Sequence, residues 1–321
     1  MALNLFKRVD TPTGLLAVEK ITLIYNLFTT VLILILFNQM SHPGAMLVDR
    51  LVIALMTFVL AYLYRFAPCK LTIFVRVAAQ MGLLSYWYPD TFEFNRFFPN
   101  LDNVFAITEQ FVFGGQPAIW FCQTFPHLIV SEAFNMGYFF YYPMIAIVTI
   151  FYFIKRYYWF DKISFVLVAS FFIYYIIYIF VPVAGPQFYF PAIGYENVAK
   201  GVFPAIGDYF NIHHELLPGP GYQSGFFYQL VEGSQQVGER PTAAFPSSHV
   251  GISTILMIMS WRASKKLFAC LIPFYMLLCG ATVYIQAHYA IDVLVGFLSA
   301  LVIYAFTTWM YKKWFARFFF M

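Results

Sequence analysis

The chain reads as an all-α polytopic membrane bundle, and three observations predict it. Hydrophobic residues fill 61% of its 321 positions and charged residues only 11%, with a mean hydropathy of +0.71, a balance outside the range of water-soluble globular domains. Eight mainly apolar runs, near 20–38, 50–67, 70–88, 133–154, 163–182, 247–261, 267–286 and 288–311, suit a hydrocarbon core of roughly 30 Å at about 1.5 Å rise per residue, the sixth being short. None shows the two-residue alternation of a barrel strand. In lipid an unbroken run must satisfy its own backbone groups, which leaves helices.

The first run follows Lys7, Arg8 and Lys20, as a secretory signal would, but it is too long and lacks a small-residue cleavage site, so it is expected to stay as a span. Threading eight spans with both termini on one side gathers fifteen of the nineteen Lys and Arg residues there, Lys7 and Arg317 included. Only Arg50, Arg96, Lys200 and Arg240 are left opposite. Short loops obey this bias best, so both termini are expected in the cytoplasm. The whole chain, 1–321, is expected to form a single integral membrane domain, with two long outer segments at 89–132 and 183–246. The first interleaves Phe and Trp with polar groups, which fits either segments lying in the interface plane or a lid packed on the bundle. The second is punctuated by Pro and Gly from Pro182 to Gly225, too often for long regular elements, while its aromatic content argues for order.

Composition also narrows the function. Cys69, Cys122, Cys270 and Cys279 are scattered, which indicates neither a disulfide framework nor a zinc site. The net charge of +4 gathers into no basic stripe, so no nucleic-acid partner is expected. Adjacent His213 and His214 with Glu215 read as a solvated loop patch sooner than a metal site. Isolated His42 and His127 carry no assignment. A serine-hydrolase reading of Ser247, Ser248, His249 and Asp292 lacks the Gly-x-Ser-x-Gly elbow.

The chemistry concentrates where apolar runs end. Phe245-Pro246-Ser247-Ser248-His249 opens the sixth run, and His288-Tyr289-Ala290-Ile291-Asp292 opens the eighth. Pro246 suits a helix start and Ser247 or Ser248 can cap it, so free amides of that turn are expected to face phosphate, with His249 placed to give a proton to a leaving oxygen. His288 and Asp292, four apart, share a helix face, where the carboxylate can accept from one imidazole nitrogen and leave the other basic. A carboxylate inside a span is a functional candidate; the structural alternative is that the pair only satisfy each other between helices.

These segments resemble the second and third signature motifs of the type 2 phosphatidate phosphatase (lipid phosphate phosphatase) superfamily, whose motifs read Lys-x6-Arg-Pro, Pro-Ser-Gly-His and Ser-Arg-x5-His-x3-Asp. The likeness covers roughly residues 182–300. It implies a six-helix phosphatase-like core and metal-independent phosphoryl transfer, with His288 as the nucleophile that becomes phosphohistidine, Asp292 holding its ring and His249 protonating the departing alcohol. No cofactor and no metal are expected.

The departures point to a subtype. Ala281-Thr282 replaces the Ser-Arg of the third motif, which removes one phosphate-gripping guanidinium. The segment Ala281-Thr282-Val283-Tyr284 is closer to fungal inositol phosphorylceramide synthases, and His288-Tyr289-x-x-Asp292-Val293 is similar to sphingomyelin synthases, both lipid head-group transferases. Arg240-Pro241 lies unusually close to Pro246 for the first motif. Gly185-Pro186-Gln187-Phe188-Tyr189 resembles a Gly-Pro-Arg-Phe-Tyr element of synthase-like relatives, with Gln in place of Arg.

The expected site is therefore His288, His249 and Asp292 for catalysis, with Arg240, Ser247, Ser248, Gln187 and Tyr189 binding substrate. The expected partners are a phospholipid donor and a lipid acceptor in the bilayer, at a periplasmic or lumenal face, the oligomeric state being open. The leading reading is transfer of a phosphorylated head group, such as that of phosphatidylinositol, to a ceramide-like alcohol. Hydrolysis of phosphatidate, isoprenyl diphosphate or a lipid A phosphate is the alternative. A transporter or scramblase is the second, though no internal repeat supports it.

Overall fold

A computed structural model describes residues 5, 6, 8 and 14–315. Lys7 and Arg317, counted in the charge asymmetry, lie outside the described residues. The fold is all-α, and among the described residues the one β feature is an isolated bridge between Arg8 and Cys69.

All eight apolar runs fall on helical segments. Among the described residues, five helices are long and apolar enough to cross a membrane: Ala17–Ile35, Pro43–Leu63, Tyr157–Phe180, Lys265–Tyr284 and Ala290–Phe315. Leu128–Phe139 with Tyr141–Lys155 makes a sixth if the pair, bent by 44°, counts as one span. Pro143 accounts for the bend, because it lacks an N–H and its ring crowds the carbonyl four residues back, that of Phe139.

The other two runs fall short of that length. Lys70–Gly82 ends after 13 residues and is followed by the separate helix Leu84–Asp90, while Ser248–Ala263 has 16 residues. The latter stops at Ser264, which caps both sides of the break. Its N–H donates to the Ser260 carbonyl, and its hydroxyl accepts from the Leu267 N–H at 3.4 Å to open Lys265–Tyr284.

The chain packs as two compact units. One comprises Met1–Tyr86, Thr149–Phe172 and Tyr304–Met321, and the other Trp87–Val148 and Ile173–Ile303. In the first unit the buried Arg76 donates to both oxygens of the buried Glu19, at 2.7 and 2.5 Å, and to the Gly14 carbonyl. Pairing offsets the cost of taking both charges out of water. Asp161 likewise accepts on both oxygens, from the Ala17 N–H and the Tyr311 hydroxyl.

In the second unit the outer segments hold short helices, among them Asp102–Phe113, Pro117–Thr124, Pro186–Ile193 and Phe226–Gly238. Asp102–Phe113 packs one side into the core and leaves the other exposed. Ala106 joins a core of Val183, Tyr189, Phe190 and Tyr289, while Val104, Ile107 and Phe111 remain exposed. Asp102 ties the pieces together. Its carboxylate accepts from the Ala184 and Gly185 N–H groups at 2.6 and 2.8 Å and from the Tyr289 hydroxyl at 3.0 Å. Gly185 is required there, since its φ is +92° and a Cβ would lie 2.6 Å from the Ala287 carbonyl oxygen.

Candidate active site

The second unit alone supplies the site. Ser247 is the N-cap of Ser248–Ala263, its hydroxyl accepting from the Val250 N–H at 3.4 Å, so Pro246 stands just before the cap and does not open the helix. The expected row of free amides is largely taken. The Ser247 N–H donates to the Asp292 carbonyl at 3.1 Å, and the Ser248 N–H donates at 3.0 Å to the Tyr178 hydroxyl, which itself donates to the Pro246 carbonyl. Ser247 and Ser248, both buried, therefore hold the turn to its neighbours and do not present a row of donors. The catalytic helix Ala290–Met310 comes close at Gly296, where a Cβ would lie 2.6 Å from the Ser247 carbonyl oxygen.

This packing brings the two histidines together across 39 residues of sequence. His288 Nε2 lies 3.4 Å from His249 Nδ1, with ring centroids 5.6 Å apart. His288 Nδ1 lies 2.7 Å from the Ala244 carbonyl oxygen. A carbonyl only accepts, so Nδ1 carries the proton and Nε2 keeps its lone pair. Asp292 is not the direct brace that its spacing suggested. Its Oδ2 is 3.8 Å from His288 Nδ1 and instead accepts from the Tyr289 N–H at 2.9 Å, while Oδ1 is buried without a hydrogen-bond partner among the described residues. His288 is 3% exposed, and burial is the main reason its imidazole is pushed down to about 4; the Ala244 hydrogen bond and Glu239 pull it back up.

Aromatic and polar side chains surround the pair. Tyr138 stacks on His249 with centroids 4.7 Å apart, and Tyr141 flanks the same ring at 4.5 Å. Glu239 accepts from the Tyr88 hydroxyl at 2.7 Å; burial raises its carboxyl, while Tyr88, His288 and Arg240 lower it. Arg240 donates to the Glu239 carbonyl at 2.8 Å. Gln187 is buried and accepts from the Gln235 side chain at 3.2 Å.

Tyr189 departs from expectation. Its hydroxyl donates to the Pro204 carbonyl and its ring lies in the apolar core, because helix Pro186–Ile193 turns that face away from the histidines. His213 stacks on Tyr209 and His214 meets the edge of Phe92, which leaves the 213–215 patch outside the site.

Several site residues escaped the sequence reading. The Ala244 carbonyl is a backbone group with no side-chain signature. Tyr138 and Tyr141, one on each side of the bend between Leu128–Phe139 and Tyr141–Lys155, were hidden in a chain with 24 tyrosines. Glu109 is fully buried on Asp102–Phe113 and accepts from the Ile291 N–H at 3.3 Å; a lone acidic residue among Phe and Val was the available clue.

A family model described as PAP2 superfamily matches residues 104–306, well over half of the chain, a stretch that contains His249, His288 and Asp292. The chain belongs to the PAP2 superfamily. That membership fits phosphatase or phosphotransferase activity on lipids. No curated protein and no solved structure matches the chain.

Proposed function

We propose that this chain is a membrane phosphotransferase that moves a phosphorylated head group from a glycerophospholipid, such as phosphatidylinositol, to a ceramide-like lipid alcohol through a phosphohistidine on His288. The observation that carries the reading is the His288–His249 pair, in which one ring is held by Ala244 with its Nε2 lone pair directed at the other. In the first step Nε2 attacks phosphorus, the P–O bond to diacylglycerol breaks, and His249 gives its proton to the departing oxygen. His249 enters that step as the imidazolium and leaves it neutral. In the second step the acceptor hydroxyl loses its proton to His249, attacks phosphorus and breaks the P–N bond, so that both imidazoles return to their starting forms. A separation of 3.4 Å is too small for a phosphoryl group, so the rings part when substrate enters.

Transfer over hydrolysis is supported by the burial of His288 and by the Tyr138 and Tyr141 rings covering His249, which limit the access of water to a phosphohistidine. A membrane-surface position is supported by His288 lying between two candidate spans. The histidine contact also requires Ser248–Ala263, about 24 Å long, to run back along Lys265–Tyr284. With that crossing and the broken Lys70–Asp90 stretch counted, both termini share the cytoplasmic side and the site opens on the periplasmic or lumenal face.

The test is to incubate the purified chain with head-group-labelled phosphatidylinositol and a ceramide. A new labelled phosphosphingolipid is expected, together with an acid-labile, base-stable labelled enzyme that is absent in His288→Asn. Free phosphate and diacylglycerol released from phosphatidate, with no phosphosphingolipid formed, would convict the enzyme of hydrolysis instead.

A further inference from the structure

The mechanism above leaves one buried acid beside the catalytic helix unused. Glu109 has no exposed surface, its Oε2 accepts from the Ile291 N–H, and its Oε1 has no hydrogen-bond partner among the described residues. One residue beyond Ile291, Asp292 shows the same pattern, with Oδ2 engaged by Tyr289 and Oδ1 unpartnered. Other buried acids differ: Glu19, Asp102 and Asp161 each have both oxygens hydrogen-bonded.

Two carboxylates in one dry site do not ionise independently, because the first charge opposes the second. We infer that Glu109 is a positioning residue for phosphoryl transfer: it restrains the first turn of the catalytic helix through the Ile291 amide, and with Asp292 it forms a carboxyl pair that carries a single negative charge next to His288. This rests on His288 being the nucleophile. Holding the pair to one charge limits repulsion against the incoming phosphodiester.

The electrostatics agree with the geometry. Burial is the chief cause that pushes the Glu109 carboxyl up to about 8, the Ile291 and Ala290 amides pull it down, and Asp292 pushes it further up. Asp102, on the same helix, acts on Asp292 and is bound by the Tyr289 hydroxyl, so these are the ionisable groups arranged about the pair.

The experiment uses the full chain in lipid nanodiscs, with turnover of the labelled phospholipid followed from pH 5 to 9.5. Glu109→Ala is expected to lower kcat about tenfold with KM unchanged, and Glu109→Gln to recover part of that loss. The parent enzyme should lose kcat through an alkaline limb near pH 8, a limb missing from Glu109→Gln.

A second readout needs no activity. An acid raised in the folded state costs stability as pH climbs from its unfolded value near ~4.3 to its folded one, so the thermal midpoint of Glu109→Gln should gain on the parent between those values and stay level above them. An unchanged alkaline limb in Glu109→Gln, or a midpoint difference that does not vary with pH, overturns the assignment. The expected midpoint gain in an enzyme that turns over no lipid would remove the phosphotransfer reading and leave the carboxyl pair standing.

Discussion

Glu19 and Asp292 occupy the same place in different helices. Each is the third residue of an apolar helix, Ala17–Ile35 or Ala290–Met310, each has no exposed surface, and each accepts from the backbone N–H three residues earlier, at 2.7 Å from Leu16 and 2.9 Å from Tyr289. Beyond that shared capping contact they part. Arg76 meets both oxygens of Glu19, whereas Asp292 has one oxygen without a hydrogen-bond partner among the described residues and lies 3.8 Å from the His288 ring. The same local signal thus yields a closed ion pair in one unit and an open charge in the other. What separates structure from chemistry is the partner brought in by the fold, not the position in the helix.

The contrast can be broken at either end. The largest effect is expected from Asp292→Asn, which keeps an acceptor for Tyr289 but removes the charge. Turnover should fall by about 10³-fold or more, while the thermal midpoint holds or rises, because an uncompensated charge has left the interior. A midpoint that collapses with little change in kcat per folded molecule would make Asp292 a structural acid after all.

Glu19→Gln should do the reverse, leaving Arg76 buried without its counter-charge. A loss of about 3–5 kcal/mol in stability is expected, with kcat per folded molecule unaltered. Denaturation in detergent alongside turnover checks both halves.

The smallest effect is in the pH profile. His288 is held down to about 4, so its ring stays neutral through ordinary pH, and under the proposed mechanism kcat/KM should fall tenfold per unit only below that value. Because the folded state takes up this proton later than the unfolded chain, at about 6.5, the stability linked to the neutral ring is present above that value and is lost as pH falls through about 4. An acid limb near 6.5 would place the ring in water.

Much of this was legible in the residues. The apolar runs mark the helices, since length and composition alone decide what lipid accepts, and His249 and His288 were paired because both begin runs that must end on the same side. Run length overstated one element, however. Arg76 and Gln80 sit in the third run, which breaks after Gly82, whereas the sixth, short already in the sequence, forms a 16-residue helix that ends at Ser264. The brace on His288 was beyond reach, because a carbonyl from Ala244 displaced the carboxylate that four-residue spacing favoured. Tyr189 was assigned by its neighbours in a motif, but the turn at Gly185 and the bond to Pro204 point it into the core. Glu109 became informative only when helix Asp102–Phe113 was seen against the Ile291 amide, a contact across 182 residues.

Ser264 leaves the hairpin that joins the two histidine-bearing ends without a spare link. One residue closes the first arm and opens the second, so neither arm can slide while the other stands still. Lengthening the joint by a single residue would advance one arm by ~1.5 Å and rotate it by about 100°, swinging the acid–base ring off its partner while every side chain in the reaction stayed intact. This one-residue joint therefore acts as the measuring gauge of the site.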